Sequence, residues 1–118
     1  MEKHLFDSEL RLMELLWEQE PISAKELSLV AAARLNWNKN TTYTVIKKLV
    51  EKQVILRQEP GFVCTALIKR TQVQKAETKS LIDKLYHGSK KAFLASFLED
   101  ESLSQDELEQ LRQLIETK

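Results

Sequence analysis

The sequence predicts a mainly α-helical fold in which three helices and a small β-hairpin are followed by three further helices. Three observations carry that expectation: apolar residues recur at helical spacing in several separate stretches, two short β-rich runs flank Glu59-Pro60-Gly61, and only two glycines and two prolines interrupt 118 residues. Composition sets the bounds. With 42% hydrophobic and 31% charged residues the chain is folded rather than disordered, one domain or one small domain with an appendage. Its one cysteine, Cys64, cannot form an internal disulfide. With no leader-like segment and no long apolar run, a soluble cytoplasmic protein that does not insert into a membrane is expected.

The first helix opens at Asp7 or Ser8. Leu10, Leu12, Met13, Leu15, Leu16 and Trp17 cover more than one of its faces, so it is mostly buried. After Pro21, Ser23 and Glu26 have the spacing of a capping box, with Ile22 and Leu27 placed as a hydrophobic staple. A second helix then runs through Leu27, Val30, Ala31 and Ala32 to Arg34 or Leu35. Leu35 to Trp37 leave room only for a tight turn before a third helix, so the two form a helix-turn-helix. Val54 to Arg57 and Phe62 to Ile68 make a hairpin around the Pro-Gly turn, and Pro21 to Ser23 supply a short third strand. This order describes a winged helix over residues 1–70.

The third helix, Asn38 to Gln53, organises the rest. Thr42, Val45, Ile46, Leu49 and Val50 fall on one side, and Asn38 is placed to cap. Lys47 and Lys48 project from the other side with Asn40 and Thr44, flanked by Thr41 and Tyr43. This outward surface, with Lys39 at its start, combines short hydrogen-bonding groups, one aromatic and cations, as a major-groove reader requires. A lysine-bearing polar face is more often merely solvated. Charge distribution favours the DNA reading: Arg34, Lys39, Lys47, Lys48, Lys52 and Arg57 stand against Glu51 alone, in a chain whose net charge is zero.

Residues 71–118 form a helical region of different character. A helix from Val73 to Tyr86 has Leu81, Ile82, Leu85 and Tyr86 as its apolar side, with Gly88 as its stop. Ser89 caps a short helix bearing Phe93, Leu94, Phe97 and Leu98, and Glu99-Asp100-Glu101 fall in the loop that ends it. Ser104 and Glu107 repeat the capping box before a last helix with Leu108, Leu111, Leu114 and Ile115 inside. These helices are too short to bury a core alone. Leu81, Leu85, Phe93, Leu94, Phe97, Leu98, Leu108, Leu111 and Ile115 are therefore assigned to a homodimer interface, against the alternative that they fold back on their own chain.

Other chemistry finds little support. His4, His87 and Cys64 have no zinc-like spacing, so neither metal nor cofactor is expected, and Cys64 reads as a small buried hydrophobe. No Gly-rich phosphate loop or Ser/His/Asp arrangement suggests an enzyme. The alternative to DNA binding is a winged helix that docks on a protein partner.

Three runs stand out together: Glu9-Leu10-Arg11-Leu12-Met13 with Trp17, Thr41-Thr42-Tyr43-Thr44-Val45-Ile46-Lys47-Lys48-Leu49-Val50-Glu51-Lys52, and Tyr86-His87-Gly88 with Phe97-Leu98-Glu99. On these the chain resembles the penicillinase-repressor family of bacterial transcription regulators, the methicillin-resistance and β-lactamase repressors among them. The resemblance implies a dimeric repressor with winged helices on an inverted-repeat operator and interlocked C-terminal helices. It also implies derepression, in answer to β-lactams, by a sensor-linked protease acting at the bond that matches Ser96-Phe97. Here Ser96 replaces the family's Asn, and the other reading makes Ser96 a small residue that permits close helix packing. Gln53 stands where the family commonly has Gly, Phe62 follows Gly61 where an arginine is frequent, and the Cys-x-Cys pairs of copper-responsive relatives are missing.

Overall fold

A computed structural model describes residues 4–100 and 102–116, with the backbone alone described for Asp100 and Ile115. The chain divides into two compact units, residues 1–77 and 78–118. The first contains α1 (Asp7–Gln19), β1 (Ile22–Ser23), α2 (Ala24–Leu35), α3 (Lys39–Glu51), β2 (Ile55–Gln58), β3 (Val63–Ala66) and the start of α4 (Arg70–Tyr86). Its sheet is antiparallel with strand order β1-β3-β2. Three helices and a three-stranded sheet in this order are a winged helix-turn-helix.

The core of this unit follows from the helix faces. Leu12, Met13 and Leu16 of α1, Leu27 and Ala31 of α2, and Ile46 and Leu49 of α3 are all fully excluded from solvent. Val54, Ile55 and Cys64 close the layer from the sheet side. The capping residues act as their spacing predicts. Ser23 Oγ accepts from Glu26 N at 3.1 Å, and Asn38 Oδ1 accepts from Thr41 N at 2.7 Å.

Several details differ from expectation for local reasons. The β1 strand has two residues rather than three, and Pro21, which lacks an N–H, stays outside it. Helix α4 begins at Arg70, ahead of the expected Val73, because Lys69 N donates to Gln72 Oε1 at 2.7 Å and makes a cap the apolar pattern does not reveal. Val73 is buried in the winged-helix core, so the compact unit runs beyond the start of α4 to Glu77. Glu99 and Asp100 form the end of α5 rather than a loop, and Glu101 lies outside the described residues.

The second unit holds the rest of α4, then α5 (Lys90–Asp100) and α6 (Gln105–Glu116). His87 and Gly88, at φ of +52° and +83°, end α4 in the left-handed region. Ser89 Oγ then caps α5 through Ala92 N at 3.0 Å. Ser104 and Glu107 make the reciprocal capping box of α6, each bond 3.1 Å.

Candidate nucleic-acid interface

The core stripe of α3 dictates what its opposite side presents. Thr42, Val45, Ile46 and Leu49 are buried, which turns Asn40, Thr41, Thr44, Lys47 and Lys48 outward, and all five are exposed together with Lys39. Tyr43 is half-buried at the edge of this face. Its ring meets Phe62 of the wing edge-on, with centroids 6.2 Å apart, and Lys39 Nζ lies 5.9 Å from its centroid. Thr44 Oγ1 donates to Asn40 O at 2.9 Å, which leaves the hydroxyl oxygen able to accept from a base amino group. The first turn of α3 carries no carboxylate, so its positive end is not neutralised from within the helix.

The local excess of cations reduces to fewer available charges. Arg34 pairs with Glu18, Lys52 with Glu9, and Arg57 with Glu59. Lys39, Lys47 and Lys48 have no ion-pair partner among the described residues, and all three belong to α3. Half of the cations counted in the sequence are thus engaged internally, and the other half are concentrated on one helix.

The Lys52 pair is structural, and the sequence reading missed it. Glu9 is 2% exposed, and its Oε1 accepts from Lys52 Nζ at 2.7 Å and from Phe6 N at 2.9 Å. One carboxylate therefore caps the start of α1 and holds the C-terminal end of α3. Its sequence signal is weak, an anion among apolar neighbours at one helix start and a cation 43 residues away. Trp17 is more than the core residue its spacing predicts. Its indole N–H donates to Ile68 O at 3.0 Å, while Arg70 lies over its ring and pairs with Glu14 at 2.9 Å, tying the exit from the sheet to α1.

In the wing, the Arg57 guanidinium lies 3.6 Å from the centroid of the Phe62 ring. Phe62 adopts φ +51°, and Phe62 N donates to Glu59 Oε1 at 3.1 Å. The hydrogen bond from Arg57, followed by that from Phe62 N, holds the Glu59 carboxyl below its ordinary value. Beside them, burial pushes the Cys64 thiol up to about 11 despite the opposing field of Arg57. That is the environment of an inert core residue.

Within the second unit, Leu81, Leu85, Leu94, Phe97, Leu98, Leu108 and Leu111 are between 41% and 62% exposed. Phe93 is half-buried, packed edge-on to Tyr86 at 5.6 Å and stacked on Phe97 at 6.3 Å. The side chain of Ile115 lies outside the described residues. Ser96 and Phe97 sit inside α5, and Tyr86 Oη and Ser96 Oγ share a 3.2 Å hydrogen bond. No helix among the described residues is long and apolar enough to cross a membrane.

Known proteins resemble this chain along nearly its full length. The family model described as penicillinase repressor matches residues 5–117. The methicillin resistance regulatory protein MecI of Mammaliicoccus sciuri is 28% identical over 113 residues, which cover 94% of this chain and 92% of that protein. The penicillinase repressor of Bacillus licheniformis is 26% identical over 112 residues, 93% of this chain and 88% of that protein. Among solved structures, the DNA binding domain of the repressor BlaI superposes with a TM-score of 0.55 at 25% identity, covering 61% of this chain and 93% of that one. A family of repressors is not a family of enzymes, and the winged helix, its reading-helix run and the C-terminal helices all fall within the matched span: the chain belongs to the penicillinase repressor family.

Proposed function

We propose that this protein is a cytoplasmic transcriptional repressor that binds an inverted-repeat DNA operator as a homodimer. The observation that carries the reading is the outward face of α3, where Lys39, Lys47 and Lys48 have no ion-pair partner among the described residues and stand with Asn40, Thr41 and Thr44. In this arrangement the hydroxyl and amide groups address base edges while the lysines address phosphates or guanine edges. The relatives named as repressors, and the solved DNA binding domain, support the same assignment.

Dimerisation is supported by the apolar surface of the second unit. Leu81, Leu85, Leu94, Phe97, Leu98, Leu108 and Leu111 are each exposed in this one unit, a concentration of large apolar side chains that a partner surface would cover. A second copy of the same helices is the occupant that a symmetric operator calls for, and joining two half-site binders raises avidity by about two to four orders of magnitude. Scission at Ser96-Phe97 would separate Phe97, Leu98 and α6 from the rest and relieve repression. The bond lies within α5, so a sensor-linked protease acts after local opening of that helix.

The test is a mobility-shift titration on the duplex upstream of the protein's own gene, with sedimentation of the free chain. Expected are a dimer and a sequence-preferring complex; residues 1–77 alone should be monomeric and bind weakly. A chain that binds no duplex but retains a protein partner would favour the interaction-module reading. For scission, cells exposed to a cell-wall antibiotic should yield a fragment ending at Ser96, absent in Phe97→Ala. A full-length chain throughout derepression refutes it.

A further inference from the structure

Across residues 54–66 the wing has one cation, Arg57, and one anion, Glu59, and the two are bound to each other. Three contacts make this more than a casual surface pair. The guanidinium carbon lies over the Phe62 ring, 3.6 Å from its centroid, a contact that restrains the side chain before any ligand arrives. Glu59 is held from a second side by Phe62 N at 3.1 Å. The Phe62 ring in turn meets Tyr43 of α3, which places the stack on the same flank as Lys39.

We infer that Glu59 is an internal competitor for a phosphate site built on the wing by Arg57 and Phe62, so that DNA must displace an intramolecular ion pair to use it. The inference rests on the proposed binding of duplex DNA through α3. A guanidinium resting over an aromatic ring has less freedom to lose when it recognises a phosphate through two points. Its carboxylate partner is exposed, and exposed ion pairs are weak enough for a backbone phosphate to replace. Glu59 therefore lowers affinity without abolishing it. It also removes one ion from the salt dependence, because the cation it neutralises no longer contributes a full counterion release.

The experiment compares the full chain with Glu59→Gln, Arg57→Gln and the double variant. Binding is measured to the duplex upstream of its own gene and to an unrelated duplex of equal length, at about 50 to 200 mM salt. Glu59→Gln should bind both duplexes about three- to tenfold more tightly at the lowest salt, with a slope steeper by about one unit. In the Arg57→Gln background the same change should have little effect. Glu59→Ser provides a second removal of the charge should the amide disturb the turn. An unchanged affinity and slope, or a gain of equal size in the Arg57→Gln background, overturns the inference, since the latter is general charge repulsion. A wild-type chain that binds neither duplex overturns the DNA reading itself, which is a different result from a wild type that binds and a Glu59 variant that does not differ.

Discussion

Replacing Lys52 by Met leaves the Glu9 carboxylate, 2% exposed, without its charged partner, while its bond from Phe6 N remains. Breaking a buried pair from one side costs about 3–5 kcal/mol. The Lys52 side chain is 33% exposed, so part of the pair's field is already screened, and about 2–3 kcal/mol is expected instead. For a unit of this size, whose total stability is on the order of 4–12 kcal/mol, that is a large share. With a urea m-value of about 1 kcal/mol/M the midpoint should fall by about 2–3 M. Glu9→Leu should cost less, about 1–2 kcal/mol, because the freed ammonium can reach water. The double variant should recover most of the loss, with a coupling of at least about 1 kcal/mol. Trp17 and Trp37 both lie within residues 1–77, so fluorescence during urea unfolding of the full chain reports this unit. If Lys52→Met shifts the midpoint no more than a change at exposed Lys25, or if the two effects simply add, the pair does not anchor α3 to α1.

Three further outcomes are expected. Asn36 ends α2 at φ +58°, so Asn36→Ala should destabilise by about 1 kcal/mol in urea while Asn36→Gly stays within a few tenths; equal costs for both would mean that the side chain rather than the backbone matters. Burial raises the Cys64 thiol to about 11, so at pH 8 roughly one thiol in a thousand is ionised, and iodoacetamide should label the native chain far more slowly than the urea-unfolded one. Comparable rates would contradict the closed environment. Lys48→Ala should weaken binding to every duplex and reduce the salt slope by about 0.9, whereas unchanged affinity at all salt concentrations would remove Lys48 from the interface.

The legible parts of the fold are those in which neighbours along the chain decide the conformation. Ser23, Asn38, Ser89 and Ser104 cap helices as their positions indicate, because a cap bond spans only three residues. The apolar stripe of α3 announces its buried side through spacing alone, and with it the outward placement of Asn40, Thr44, Lys47 and Lys48. The Pro-Gly turn marks the hairpin. Less legible is the extent of α4, whose start at Arg70 depends on a Gln72 side chain reaching back to Lys69.

Pairing across distance needed the tertiary structure. Charge counted along the chain treats Arg34 and Lys52 as equal to Lys39, Lys47 and Lys48, yet folding brings Glu18 and Glu9 to the first two across 16 and 43 residues, whereas Arg57 pairs with Glu59 only two residues on. Sequence spacing on α3 therefore determined which residues face outward, since helical geometry turns each residue by a constant angle. Which distant cations are engaged was decided only when α1 packed against α2 and α3, because an ion pair depends on a few ångströms of separation and not on distance along the chain.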